Sequence, residues 1–334
     1  MADPAQEPER AGRSPFGRRP RLGAGSPLVG GVADEGFDPR ADALGLPDTS
    51  ADANGADEPD PRTLSRLLPA PEPGRQIDDW GRDEATFQLA DPILNFYYRY
   101  WFRVELQNVE NVPDTGGALL VANHSGALPP DAPMIMQGIR TEHPHPRPVY
   151  MLGEHWFKGY PGVGMLANKI GLVAAHPANA QRLLRDEGRL ALVFPEGQKG
   201  SRKLYWQRYR LRRFGRGGFV RTAMRARVPI VPIAVVGAEE AMPIFAHVPL
   251  LQRLTGLIYF PINHAFPHFG LAAGAMYLPA KFKIRFLEPV DMSGYEPDDA
   301  DDVALVQSIS ERIRGAIQRE VDGLVASRES VWFG

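Results

Sequence analysis

From residue 86 onward, short uninterrupted apolar runs alternate with stretches of helical period. Ala118 to Asn123 (ALLVAN), Val149-Tyr150-Met151-Leu152, Gly171-Leu172-Val173-Ala174, Leu190 to Phe194 (LALVF) and Ile230 to Val236 lack polar alternation. A strand wetted on one face alternates, so these runs predict strands covered on both faces, as in parallel sheets. Between them, residues 131–140, 161–170, 178–187 and 219–227 read as helices or helical turns. Lys281 to Phe286 alternates as a strand should. Residues 303–325 close the chain as an amphipathic helix, with Leu305, Ile309, Ile313, Ile317, Val321 and Leu324 near one face. The order predicts an α/β fold, a layered αβα-type domain over residues 86–330 with a mostly parallel sheet covered by helices.

Two segments are stickier than this pattern requires. Residues 92–104 carry Ile93-Leu94-Asn95-Phe96-Tyr97-Tyr98-Arg99-Tyr100-Trp101-Phe102, apolar or aromatic around most of a helix. Asp91 is placed to cap that helix and Pro92 to fill its first turn. Tyr and Trp mixed with arginine suit a bilayer surface as well as a core. The second segment, Leu254 to Leu278, is broken by Pro261, Asn263, His264, Pro267 and His268. It is therefore expected to lie at an interface or line a groove rather than to span a membrane.

Composition divides the chain. Residues 1–85 are rich in Pro, Gly, Asp, Arg and Ala and poor in aromatic and β-branched clusters. Too little apolar surface is available there to offset chain ordering, so the segment is expected to be a disordered tail. The formal charge of -2 gives no general attraction to nucleic acid, so anion affinity must come from local patches. There are 0 cysteines, which excludes disulfides, thiol catalysis and thiolate metal sites. The arginines near the N-terminus precede no apolar stretch of secretory length, so a cytoplasmic location is expected. The histidines are scattered without ligand spacing, and no metal or bound cofactor is implied.

Chemistry gathers at two strand ends. His124 directly follows ALLVAN, and Asp131 comes after Ser-Gly-Ala-Leu-Pro-Pro. A carboxylate that returns to the imidazole makes it a general base of fixed tautomer and stabilises the imidazolium that develops. Taken alone, the pair reads first as a loop histidine beside a helix-capping aspartate. At the second strand end, LALVF runs into Pro195-Glu196-Gly197, followed by Gln198-Lys199-Gly200-Ser201-Arg202-Lys203. Glycine permits close backbone approach and the cations offer anion contacts. Arg208, Arg210, Arg212, Arg213 and Arg216 extend this basic stretch, which suits a lipid or coenzyme phosphate, an anionic bilayer, or simply a solvated face. No phosphate-binding P-loop pattern occurs.

In this order and spacing, the segments resemble the PlsC-like glycerolipid acyltransferase superfamily. Asn123, His124 and Asp131 match its Asn-His-x-x-x-x-Asp motif, and Phe194-Pro195-Glu196-Gly197 its Phe-Pro-Glu-Gly motif. Val228-Pro229-Ile230-Val231-Pro232 matches a Val-Pro-Ile-Val-Pro strand, and Phe214-Gly215-Arg216-Gly217-Gly218-Phe219 the stretch before a helix. The resemblance implies transfer of a fatty acyl group from acyl-CoA or acyl carrier protein to a lipid hydroxyl at a membrane surface reached by peripheral docking. His124 would be the base and Asp131 its orienting carboxylate. Glu196, Gly197, Lys199, Ser201, Arg202 and Arg216 would bind the acceptor. Six residues separate His124 from Asp131 where the family has four, and the Pro129-Pro130 pair is expected to bulge outward. The family's middle motif often carries an arginine where Ala174-Ala175-His176 stand, so the acceptor is open between a phosphorylated lysolipid and a neutral lipid such as diacylglycerol. A catalytically silent lipid-binding scaffold of the same fold is the rival reading. A hydrolase or thioesterase ranks below it, since no Gly-x-Ser-x-Gly elbow is present.

Overall fold

The computed structural model describes residues 77–125, 130–153, 161–248, 250, 261–265 and 276–334. The strands are β1 (Glu105–Gln107), β2 (Ala118–Ala122), β3 (Val149–Gly153), β4 (Leu172–Ala174), β5 (Leu190–Val193), β6 (Ile230–Val236), β7 (Ile244–His247), β8 (Pro261–Asn263) and β9 (Lys283–Phe286). Seven form one sheet in the order β1-β9-β6-β2-β5-β3-β4, while β7 and β8 pair separately. Strands β6, β2, β5, β3 and β4 run parallel. β9 is antiparallel to β6 and carries β1 beside it. The sheet is therefore mostly parallel, with a reversed edge pair.

Every residue of β2 and β6 is buried, which is why neither sequence alternates. Helices cover both faces: α1 (Glu84–Phe96), α2 (Asp131–Glu142), α3 (Pro161–Lys169), α4 (Pro177–Gln181), α5 (Gln198–Ser201), α6 (Gly218–Ala226), α7 (Ala238–Ala241) and α8 (Val303–Ala326). Leu120, Ala122, Val231, Ile233 and Val235 join Ile135 and Ile139 of α2 in the main core. Side chains alternate across a strand, so Ile230, Ala234 and Val236 turn to the other layer, where α8 packs on β6. α8 buries Val306, Ile309, Ile313, Ile317, Val321 and Leu324 along one stripe, and Asp302 caps it by accepting from the Leu305 amide.

Two expectations are corrected here. The tail boundary at residue 85 lies too late: Ile77 already bridges to Asp83, and Trp80 Nε1 donates to Glu187 at 3.0 Å. The rest of the expected tail falls outside the described residues. The aromatic helix also begins earlier than Pro92. Asp83 is the cap, accepting from the Ala85 amide and the Thr86 hydroxyl, and Pro92 sits inside α1. Asp91 instead accepts from Asn95 and Gln137, tying α1 to α2. The helix then widens into a π-turn over Tyr97–Trp101. Strand β8 lies in the Leu254–Leu278 segment, most of which falls outside the described residues.

Candidate active site

Register brings the two strand ends together. Val121 of β2 pairs with Val193 of β5, so three residues beyond each of these valines His124 and Glu196 arrive side by side. They lie at the carboxyl edge of the parallel strands, where β2 has β5 on one side and β6 on the other. Chain connections diverge at such a point and leave a crevice for ligands. Asn123 fixes the strand end: its side chain donates to the Val235 carbonyl at 2.9 Å and accepts from the Val235 amide at 2.8 Å. The motif asparagine is thus a backbone lock, buried against β6.

His124 Nδ1 lies 3.2 Å from Asp131 Oδ2. The same oxygen accepts from the Ser125 amide at 3.0 Å and the Ser125 hydroxyl at 3.1 Å, and Oδ1 accepts from the Ala132 amide at 2.9 Å. Asp131 is 1 % exposed and opens α2, where the helix dipole favours negative charge. An ionised carboxylate only accepts hydrogen bonds, so the proton of a neutral imidazole belongs on Nδ1 and the lone pair on Nε2. Among the described residues, Nε2 takes no hydrogen bond. The Phe194 ring stacks on the imidazole at 4.4 Å between centroids, fixing its plane. Pro130 is the N-cap residue of α2, which begins at Asp131; the expected Pro129 bulge lies outside the described residues.

Glu196, expected to help bind the acceptor, spends both carboxylate oxygens within the protein. Oε1 accepts from the His124 amide at 2.8 Å and Oε2 from the Arg212 amide at 2.7 Å, so the buried carboxylate is taken up by the protein itself. It joins the loop after β2 to the loop after α5. Gly197 adopts φ +54, the left-handed conformation that favours glycine, and so turns the chain out of β5. Gly200 passes close behind the pair: a Cβ there would lie 2.6 Å from Glu196 Cβ and 3.0 Å from His124 Cβ.

Lys203, read from sequence as one more surface cation, is buried. Its ammonium stands 2.8 Å from Glu239 Oε1 and 3.5 Å from Glu196 Oε2. Burial works against the charged ammonium, but Glu239 and Glu196 outweigh it and hold Lys203 above its ordinary value. Burial pushes Glu239 upward, and the Glu196 and Asp131 charges add to that against the pull of Lys203. Glu239 Oε2 also accepts from the Tyr209 amide, Gln318 holds Leu211 and Tyr209, and Arg328 bridges Tyr209 to Glu240. The backbone of the basic stretch is thereby fixed inward while Arg210, Arg212, Arg213 and Arg216 stay exposed. Lys199 is exposed and Arg202 half-buried, its carbonyl accepting from or facing His247 Nε2 at 2.8 Å. Ser201 ends α5, which also holds Lys199, and Arg202 follows it. Among the described residues, no contact joins Arg216 to the His124–Asp131 pair. Sequence reading missed Lys203, Glu239 and Gly200 as parts of the site; the signal was there only for Gly200, one of two glycines flanking the turn.

The sequence profile of the acyltransferase family matches residues 103–236. An uncharacterized protein of Mycobacterium tuberculosis is 42% identical over 77% of this chain and 72% of its own length. A chicken (Gallus gallus) protein described as a DGAT1/2-independent enzyme synthesizing storage lipids is 26% identical over 67% of this chain and 61% of its own. Among solved structures, the 1-acyl-sn-glycerophosphate acyltransferase PlsC of Thermotoga maritima aligns with a TM-score of 0.48 at 19% identity, covering 74% of this chain and 83% of that one.

Proposed function

We propose a reaction on the premise that this chain belongs to the acyltransferase family: His124 and Asp131 move a fatty acyl group from a thioester donor, acyl-CoA or acyl carrier protein, to a glycerolipid or lysophospholipid hydroxyl. The observation that carries this reading is the contact of His124 Nδ1 with Asp131 Oδ2, which leaves Nε2 free to accept a proton. The acceptor hydroxyl gives its proton to Nε2 as its oxygen bonds to the thioester carbonyl carbon. The C–S bond then breaks, and the imidazolium returns the proton to the leaving thiolate. Asp131 stabilises the imidazolium between these steps. No serine nucleophile is required, because the substrate's own alcohol attacks.

The acceptor lies on the basic rim, with Lys199 and Arg202 the side chains suited to a phosphate and Arg216 further out. A neutral acceptor, diacylglycerol, is the second reading. It is favoured by Ala175 and His176, which follow β4 where an arginine would serve a phosphate, and by the printed description of the chicken relative. Incubating the protein with labelled acyl-CoA or acyl carrier protein and a panel of acceptors tests both. Acylated lysophosphatidic acid is expected from the first reading and triacylglycerol from the second. Free fatty acid alone would point to a hydrolase, and lipid binding without any product to a scaffold.

Docking on the bilayer falls to α1 and its π-turn. Leu89, Ile93, Phe96 and Tyr100 recur at helical spacing and are 80%, 62%, 47% and 72% exposed. Arg99 is exposed beside them, and Arg103 ties the carbonyls of Trp101, Pro279 and Trp332, keeping the exposed Phe333 near this end. No helix among the described residues is long and apolar enough to cross a membrane. The reading is peripheral attachment through this exposed apolar face, at the cytoplasmic side. Replacing Leu89 and Ile93 together with aspartate is expected to lower partition onto anionic vesicles by about tenfold or more, since both leave an apolar interface. Both side chains already face water, so the fold is retained. Flotation of the double variant at the wild-type level would remove α1 as the docking face.

A further inference from the structure

Three arginines meet at the other end of the sheet. Arg82 precedes α1, Arg140 lies in the last turn of α2, and Arg147 precedes β3. Together with Glu84, Phe87 and Val149 they line a cavity of about 210 Å³. It opens at the amino edge of the parallel strands, whereas His124 follows their carboxyl edge. Asp131 and Arg140 stand at opposite ends of α2, about 14 Å apart along its axis. The cavity is therefore separate from the site already described.

Its walls are rigid. Glu84 is clamped between Arg82 Nη2 at 2.9 Å and Arg140 Nη1 at 3.0 Å, and both guanidiniums lie over the Phe87 ring, at 5.1 and 4.8 Å from its centroid. Arg147 donates to the carbonyls of Pro113, Gly116 and Gly188 at 2.6, 2.5 and 2.6 Å. Those carbonyls hold the guanidinium but do not neutralise it. Arginine keeps its charge in proteins, so the lining carries three positive groups against the single carboxylate of Glu84. Asp91 reaches Arg140 from outside the lining at 3.5 Å; burial and then the Arg189 charge hold Arg147 below its ordinary value, while Asp114 pulls the other way. Arg82 is 8% exposed, and its Nε is closed to solvent and has no hydrogen-bond partner among the described residues, so it meets an anion only when the guanidinium turns toward the cavity.

We propose that this cavity is a second ligand site, which takes a small oxyanion: a phosphate or carboxylate group recognised by Arg82, Arg140 and Arg147. The apolar side chains of Phe87, Met136, Pro148 and Val149 leave room for a small organic remainder. A bound anion joins the start of α1, the end of α2 and the turn before β3. The same two helices carry, at their other ends, the proposed docking face in α1 and Asp131 in α2.

Titration of the full-length protein with inorganic phosphate or acetate, at constant ionic strength in chloride, tests this. The Nε–Hε signals of ¹⁵N-labelled arginine are the readout. Saturable shifts are expected at Arg82 and Arg140, with the exposed Arg319 unmoved and the response unchanged in His124→Ala. Saturation by acetate as well assigns the site to carboxylates in addition to phosphates. In calorimetry, Arg82→Gln is expected to weaken phosphate binding by about tenfold or more, as loss of a charge-assisted hydrogen bond does. Linear shifts shared by all arginines of the wild-type protein would overturn the proposal, whether or not the variant folds. So would phosphate binding by folded Arg82→Gln at wild-type strength.

Discussion

A His124→Ala variant is expected to transfer acyl groups about 10³-fold more slowly than the wild-type protein, a loss of roughly 4 kcal/mol of transition-state stabilisation. The substitution removes the only group in the pair whose lone pair is free to take the acceptor's proton. Nothing adjacent substitutes for it: the Ser125 hydroxyl donates to Asp131, and Glu196 already accepts the His124 and Arg212 amides. The backbone amide of residue 124 survives the change, so its bond to Glu196 and the loop geometry are retained. The acceptor's KM is therefore expected to move far less than kcat, since the removed interaction belongs to the transition state. Retained far-UV dichroism and an unchanged unfolding midpoint would establish that the loss is chemical. A variant that keeps its rate would take His124 out of the reaction.

The second large effect is on stability. Replacing Lys203 with methionine is expected to cost about 3–5 kcal/mol of folding free energy, because it leaves two buried carboxylates without their cation. Methionine fills the space, so the loss is electrostatic rather than a cavity. The pH dependence carries the signature. Without the ammonium, Glu239 keeps the upward push of burial and of the Glu196 charge and loses the opposing pull of Lys203, so its protonation becomes easier than in water. A carboxyl group whose folded pKa lies above its unfolded value, near 4.3 for glutamate, stabilises the fold below that value. That stability is lost as pH rises through the folded pKa. In the wild-type protein Glu239 already tends this way through burial, with Lys203 opposing it, and Lys203 itself is held above its ordinary value. The gap between variant and wild type should consequently widen from pH 5 to pH 8. Urea unfolding at the two pH values measures it; a gap that is constant or narrows would mean that the ammonium does not balance these carboxylates.

Much of the fold was legible because burial leaves a plain mark on a parallel strand. The continuous runs at β2, β5 and β6 are apolar on both faces and could be read one by one. β1, three half-buried residues at an edge, carries no such mark, and neither does the separate β7–β8 pair. The start of α1 was misread for a local reason. Asp91-Pro92 has the chemistry of a helix start, yet Asp83 supplies the cap about two turns earlier, and the helix runs through the proline.

The site was legible in position and less so in role. His124 and Asp131 were named through the motifs they share with the acyltransferases, since strand position alone left them a loop histidine and a helix cap, and their side chains do meet. Glu196 and Lys203 sit in a run of charged residues, where sequence offers no way to tell which point inward. Burial decides this, and burial there depends on Glu239, far along the chain, and on the turn made by Gly197 and Gly200. The lysine of a buried ion pair is the same letter in the sequence as a solvated lysine.

The most direct measurement is kcat for Asp131→Asn beside the wild-type protein, with labelled acyl donor and whichever lipid acceptor the panel identifies. Asparagine keeps the shape but removes the charge that stabilises an imidazolium. If its amide nitrogen takes the place of Oδ2, it also meets the Nδ1–H of His124 and the Ser125 amide as a donor, which forces the imidazole toward the other tautomer. A fall of about 10²-fold or more in kcat, with the fold intact, is expected by analogy with the charge-neutral exchange in other His–Asp pairs. Transfer by folded Asp131→Asn at the wild-type rate would contradict the assignment of this pair as the catalytic centre.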